Sequence, residues 1–354
     1  MENIDAAWQR FKLNPKLFID EQEKIKPTLP PIPACGNLKI STKTMIAFLN
    51  ITIDLNYIFW KLKVIDYYAK EIGIIKKQIK INCKNPTDTK ELEDNIKNIQ
   101  CEYIQVNVLK KNDGKIGFFR DNRKISIGLS NKDLINSKNK QSGAFYNCFV
   151  LIVRIFEDNV FKEIHVKIFN TGKLEIPGIK KNSTLFAVLK IIISVLQVHY
   201  EETITYNVDQ IDTVLINSNF NCGYFINRNI LYNTLKYKYN VNVIYDPCSY
   251  PGIQCKYYYN KDKKQNNGLC DCEVMCTKKQ RKLKLNNCWE ISFMIFRTGS
   301  VLIVGNCTEY IIQFVYDFVK DIFKTEFSDI FIKIRKPEPP KCKKKKHTII
   351  RVTN

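Results

Sequence analysis

The sequence predicts an α+β protein in which one supersecondary unit occurs twice. Residues 166–178 (Val-Lys-Ile-Phe-Asn-Thr-Gly-Lys-Leu-Glu-Ile-Pro-Gly) and 293–305 (Phe-Met-Ile-Phe-Arg-Thr-Gly-Ser-Val-Leu-Ile-Val-Gly) both contain Ile-Phe-x-Thr-Gly, with a second Gly six residues later. Each copy reads as strand, two-residue turn, strand. Each then gives way to a polar start and an apolar run at helical spacing.

The elements follow in order. Residues 1–36 read as an arm that ends in the stiff stretch Pro27-Thr28-Leu29-Pro30-Pro31-Ile32-Pro33. A strand is expected from Leu38 to Met45, and Asp54 is placed to cap a helix over Leu55–Leu62. Strands are expected at Ile74–Ile81 and Tyr103–Val108, separated by a loop with a short helix over Asn85–Asn98. Asn131–Ser142 reads as another loop. Phe145–Ile155 and Val160–Ile168 are β-rich and lead into the first repeated hairpin.

Asn182-Ser183-Thr184 then supplies a cap for a helix with Leu185, Val188, Leu189, Ile192, Val195 and Leu196 on one face. The second half repeats this order. It has a strand at Thr213–Asn219, a helix over Phe225–Tyr237, and Val241–Tyr245 leading to the second hairpin. Thr308 and Glu309 start a last helix with Ile311, Phe314, Val315, Phe318, Val319, Ile322 and Phe323 on its apolar face. The chain from Arg335 on is rich in Pro and Lys, and reads as a disordered basic tail.

Composition sets bounds on function. The 354 residues carry 56 Lys+Arg against 35 Asp+Glu, a formal net charge of +21. That balance favours a polyanionic partner such as nucleic acid, although an AT-rich genome enriches lysine in the same way. Thirteen cysteines without a secretory signal point to free thiols in a reducing, intracellular compartment. The longest apolar run, Phe186–Val198, is interrupted by Lys190 and is too short to span a bilayer, so no membrane partner is expected. Catalytic signatures are missing from the sequence. It has no phosphate-binding Gly-rich loop and no His-Glu-x-x-His, and His165, His199 and His347 are scattered. The expectation is a non-enzyme.

Two further stretches resemble a known family. Tyr245-Asp246-Pro247-Cys248-Ser249-Tyr250-Pro251-Gly252 is similar to the Tyr-Glu-Pro-Glu-Leu-Phe-Pro-Gly of the TATA-box-binding protein family. Residues 293–305 are similar to that family's Leu-Leu-Ile-Phe-x-Ser-Gly-Lys-x-Val-x-Thr-Gly. The resemblance is to the divergent versions carried by large DNA viruses; it is strongest over about 145–323, extends back to residue 38, and is absent from both tails. It implies a saddle of two α/β repeats: a curved antiparallel sheet with its helices on the convex side and a minor groove beneath. It also implies apolar wedges that unstack base steps and bend AT-rich promoter duplex DNA. A transcription factor IIB-like protein and RNA polymerase would dock on the helices, in a virus factory or host nucleus.

Carried over by position, Phe169 and Phe296 match one wedge of each repeat. Tyr250 matches the second wedge of the second repeat, with Phe149 or a close neighbour as its counterpart in the first. Strand alternation puts Ile168, Leu174, Ile176, Ile295, Val301 and Ile303 in the core. It puts Met294, Phe296, Leu302 and Val304 on the groove face of the second hairpin, and Lys167, Phe169, Lys173, Glu175 and Pro177 on that of the first. Pro177 and Val304 replace a family Thr. The family's central Asn pair has no clear match: Thr42 and Val214 or Leu215 fall there. Lys76, Lys77 and Lys80 would line the rim.

The domain organisation expected is an arm over 1–36, a first repeat over 37–200 with an insertion at about 74–140, a second repeat over 201–334 with a Cys- and Lys-rich insertion at 260–288, and a tail over 335–354. Within the second insertion Cys270, Cys272, Cys276 and Cys288 are candidate ligands of a structural zinc, with Cys248 or Cys255 as competitors. The alternative for that loop is a basic surface for DNA flanks or a partner. Two other functional readings stand beside promoter binding. One is a protein-interaction module of a transcription apparatus that keeps the fold without sequence-specific DNA binding. The other is a basic nucleic-acid binder that does not bend its target.

Overall fold

Both repeated hairpins form, and each closes through a glycine in the left-handed region, Gly172 at φ +77° and Gly299 at φ +79°. At either position a Cβ would collide with a backbone oxygen, that of Ile51 or that of Tyr224, so both sites require glycine. The turns are one residue longer than expected. Gly172 N donates to Phe169 O and Gly299 N to Phe296 O, which leaves three loop residues, the last of them left-handed.

The computed structural model describes residues 29–112, 118–135, 146–263, 267–270, 272, 274, 276–277, 279–280 and 287–333. Most of the expected arm, the basic tail with Lys341–Lys346, the second part of the 131–142 loop, and Lys264, Lys278, Arg281, Lys282 and Lys284 of the insertion lie outside those residues.

The first half runs β1 (Lys39–Phe48), α1 (Leu55–Lys61), β2 (Gly73–Cys83), α2 (Pro86–Lys97), β3 (Ile104–Asn112), β4 (Arg120–Gly128), α3 (Asn131–Ile135), β5 (Cys148–Glu157), β6 (Val160–Phe169), β7 (Lys173–Ile179) and α4 (Asn182–Gln197). The second runs β8 (Asp212–Asn221), β9 (Phe225–Ile226), α5 (Arg228–Asn233), β10 (Asn242–Ile244), β11 (Ile253–Asn260), β12 (Cys288–Ile295), β13 (Ser300–Gly305), α6 (Glu309–Thr325), α7 (Phe327–Ile330) and β14 (Phe331–Ile332). Among the described residues, twelve strands form one antiparallel sheet in the order β10-β11-β12-β13-β8-β1-β7-β6-β5-β2-β4-β3. Counting outward from the central β8–β1 pair gives β13, β12, β11, β10 on one side and β7, β6, β5, β2 on the other. The halves are topological copies, as an α+β fold of two repeats requires.

Each half has its own core on the same face of the sheet. In the first, α4 packs Leu185, Val188, Leu189, Ile192 and Leu196 onto Ile168, Leu174 and Ile176, together with Ile58 and Phe59 of α1. In the second, α6 packs Ile311, Val315, Val319, Ile322 and Phe323 onto Phe293, Ile295, Val301 and Ile303. Full burial of such a side chain contributes roughly 1.5–3 kcal/mol. The opposite, open face carries the remaining side chains of the same strands.

Several local expectations are corrected. Residues 86–97 form a twelve-residue helix, capped by Asn85 through Asp88 N and started by Pro86 at its first turn. Strand β4 is an addition to the expected elements; with β3 it extends the sheet past β2, whose counterpart β10 is a short edge. Residues 225–237 are not one helix: β9 pairs with β14, and a π-helical turn over Thr234–Lys238 follows α5. The hydroxyls of Ser183 and Thr184 do not cap α4. They donate instead to the Glu157 carboxylate, at 2.8 and 2.7 Å. With Lys162 they hold that carboxyl down to about 2.

Candidate nucleic-acid interface

On the open face of the second half, Met294, Phe296, Leu302 and Val304 are half-buried side by side, because their neighbours Ile295, Val301 and Ile303 point into the core. Tyr250 reaches over from the β10–β11 loop. Its ring lies 5.9 Å from that of Phe296, inclined at 62°, and its hydroxyl is 3.7 Å from Met294 Sδ. Gly252 makes room for the pair, since a Cβ there would stand 3.0 Å from atoms of both rings. The loop is fixed by Tyr250 N donating to Asp246 O and Cys248 N donating to Asp246 Oδ1. An apolar surface headed by two aromatics packed edge to face is thus held beside solvent.

The first half repeats the arrangement with different chemistry. Phe169 is half-buried on the open face, with Lys173 Nζ 5.3 Å from its ring centre. Lys167 and Glu175, cross-strand partners on β6 and β7, form an ion pair at 2.5 Å. Glu175 is therefore not a bare anion on this face, but it engages one of the cations beside it.

Phe149 does not belong to this surface. It is fully buried and packs edge-on against Phe59. The register gives the reason. Phe149 pairs with Ile168 as Ile253 pairs with Ile295, so Phe149 occupies the core position of Ile253. Counting back three residues puts Tyr146 where Tyr250 stands. Tyr146 is 45% exposed, accepts a hydrogen bond from Asn122 Nδ2 at 2.7 Å, and has Lys80 Nζ 4.0 Å from its ring centre. The insertion preceding Tyr146 hid this equivalence from sequence spacing.

The centre of the face is polar. The open-facing residues of β8 include Asn217, Asn219 and Asn221, which pair with Val304, Leu302 and Ser300 of β13. Asn217 Nδ2 donates to Thr42 Oγ1 at 3.3 Å, and Asn219 Nδ2 donates to Ser41 Oγ at 2.5 Å. Leu215 lies on this face as well, paired with Thr44 next to the Asn217–Thr42 pair, and the asparagines continue its row one, two and three pleats further on. Their period-two spacing, Asn-x-Asn-x-Asn, was visible in the sequence.

Outward, β2 and β4 add Lys76, Gln78 and Lys80 and their partners Lys124 and Ser126. Lys77 is not with them. A bulge between Ile74 and Lys76 reverses the alternation and turns Lys77 into the core side. There its Nζ donates to Phe59 O and Leu62 O, each at 2.6 Å, and burial lowers its pKa to about 8. Part of the outer open face is covered by α3. Asp133 pairs with Lys76 at 2.7 Å, and Asn131 N donates to Glu163. Beneath it, burial and the nearby Lys132 and Lys76 hold His165 below its ordinary pKa, so it adds no charge at neutral pH.

The insertion's Cys270, Cys272, Cys276 and Cys288 also converge, with all four Sγ atoms within 4.8 Å of one another. Cys255 is instead buried in the second core, and Cys248 lies exposed in the Tyr250 loop. Neither competes for that cluster. Among the described residues, no helix is long and apolar enough to cross a membrane.

No protein-family model matches the sequence. No curated protein matches it either. Among solved structures the chain is similar to Methanococcus jannaschii TBP, at 13% identity and a TM-score of 0.38, over 82% of this chain and 98% of that one.

Proposed function

We propose that this chain is a TATA-box-binding-protein-like transcription initiation factor that binds AT-rich duplex DNA through the minor groove and bends it. The observation that carries this reading is the Tyr250–Phe296 pair at the edge of an apolar open face, mirrored by Tyr146 and Phe169 in the other half. Two aromatic positions at each end of one sheet face suit wedging between base steps. Unstacking costs roughly a few kcal/mol per step and is offset by the surface that a bent duplex can cover. Between the ends, Asn217 and Asn219 can donate to the A N3 and T O2 acceptors that line this groove. Lys173, Lys80 and Lys124 lie where flanking phosphates would pass.

In this reading Met294, Leu302 and Val304 form the floor against the second half-site, and α4 and α6 face away from DNA. Those helices would dock a transcription factor IIB-like protein and RNA polymerase, in a viral transcription apparatus working in a cytoplasmic factory or the nucleus. No catalytic role is assigned.

The test is binding of an AT-rich duplex in competition with a minor-groove polyamide ligand. Displacement of the protein by that ligand supports the proposal. Binding that is indifferent to the ligand, or equal on GC-rich duplex, contradicts it. A second reading, a protein-interaction module without sequence-specific DNA binding, is favoured by the Lys167–Glu175 ion pair and by α3 lying over part of the open face. The same experiment decides, since that reading expects no duplex binding beyond what bulk charge produces.

A further inference from the structure

We infer that Cys270, Cys272, Cys276 and Cys288, which lie between β11 and the start of β12, hold one structural Zn²⁺. Around a single tetrahedral ion with Zn–S near 2.3 Å, neighbouring sulfurs lie about 3.8 Å apart. In the structure Cys272 and Cys276 Sγ are 3.5 Å apart, Cys270 and Cys288 Sγ are 4.0 Å apart, and no pair exceeds 4.8 Å. These separations are too long for disulfide bonds, which need about 2.05 Å. They are too short for a polynuclear cluster, whose thiolates sit on different iron atoms. Four sulfur ligands in a closed tetrahedral set favour zinc, with mononuclear iron as the chemical competitor.

The surroundings are those of a built site. Cys276 and Cys288 are buried, and Cys270 and Cys272 are half-buried. Asn260 Nδ2 points at Cys272 Sγ from 3.7 Å, the kind of N–H···S contact that steadies a metal thiolate. Tyr258 N donates to Gly268 O at 3.0 Å, which brings the loop back onto the hairpin two residues before the first ligand. Tyr258 forms a small cluster with Cys276 and Cys288, separate from both main cores. Its neighbours Tyr257 and Tyr259 belong to the second core, so Tyr258 and the cysteines stand on the open face. The site lies at the far end of β12 from Phe296, about 26 Å away at roughly 3.3 Å per residue. Zinc would therefore tie Cys270, Cys272 and Cys276 to Cys288 of β12 on the side proposed to meet DNA, without contributing to the packing of either half.

The test is metal analysis of the full chain purified with reductant and without chelator, alongside Cys270→Ser, Cys288→Ser and, as control, Cys248→Ser. The expected result is about one zinc per chain in wild type and in Cys248→Ser, with near-complete loss in the other two. Cobalt exchanged into wild type should show the thiolate charge-transfer absorption of a tetrahedral sulfur site. Because the cluster is apart from both cores, chelation should leave the circular dichroism of the sheet and helices unchanged while opening the loop to protease. Wild type that takes up no zinc after refolding in its excess overturns the proposal. So do iron at one per chain, disulfides linking these cysteines, or equal metal loss from Cys248→Ser. If a serine variant fails to fold, wild-type stoichiometry and the cobalt spectrum decide alone.

Discussion

The Tyr250 ring stands edge-on to Phe296 at 5.9 Å, over a glycine that keeps the space beneath both rings open. The two side chains come from different strand connections and act as one unit, so their effects on DNA binding should not add. Phe296→Ala and Tyr250→Ala should each weaken binding to an AT-rich duplex about tenfold or more. The double variant should fall short of the product by the pair's coupling, about 0.5–1.5 kcal/mol. Titrations of the four proteins at one salt concentration measure this. Strict additivity would show that the rings work separately.

Lys167 is held by Glu175 at 2.5 Å on a face otherwise supplied with lysine. Glu175→Gln should release that cation for a phosphate. Affinity should rise, and the slope of log K against log salt should steepen by about one. An unchanged slope would mean that Lys167 lies outside the path of the backbone.

The asparagines of β8 make a different prediction. Asn217→Ala and Asn219→Ala should lower affinity for AT-rich duplex by about 1 kcal/mol each through a lost hydrogen bond, and leave the salt slope unchanged. On a duplex with G·C pairs at the centre the loss should be smaller, because their contribution is to base edges. Equal losses on both duplexes would assign these residues to the sheet rather than to readout.

Lys77 provides a test of the fold that does not involve DNA. Burial lowers its pKa from 10.5 to about 8. Between those values the unfolded chain holds a proton that the folded chain has released, so raising pH favours the folded state. Below pH 8 both states are protonated, and the full cost of burying the charge is present. Lys77→Met should lack the gain in stability that wild type shows from pH 8 to pH 10.5. Urea midpoints across that range give the comparison. Parallel pH profiles would show that Lys77 stays charged in the fold.

Much of the fold was legible because the hairpins carry their own signals. Ile168, Leu174, Ile176, Ile295, Val301 and Ile303 fall on one side of the strand alternation counted from the turns, and all six are buried as that alternation requires. The misses have local causes. Strand β4 begins with Arg120-Asp121-Asn122-Arg123-Lys124, whose charges conceal a strand. Its Arg123 is nonetheless satisfied within the fold by Asp121 and by Glu93 of α2. Lys77 looked like a rim cation until the bulge at Ile74–Lys76 reversed its side. Tyr146 was hidden because an insertion precedes it, so that its place emerges only from the pairing of Phe149 with Ile168 three residues further on. The four cysteines were visible as candidates, but only the hairpin pairing, which sets Cys288 opposite Asn260, shows how they meet.

Bending is the property that most directly separates this account from its rivals, and energy transfer between dyes at the two ends of an AT-rich duplex measures it. Wild type should shorten the end-to-end distance on binding. Phe169→Ala/Phe296→Ala should bind more weakly and leave the duplex nearly straight. A wild-type complex in which the duplex stays straight, or a double variant that bends it equally, would contradict the wedge mechanism.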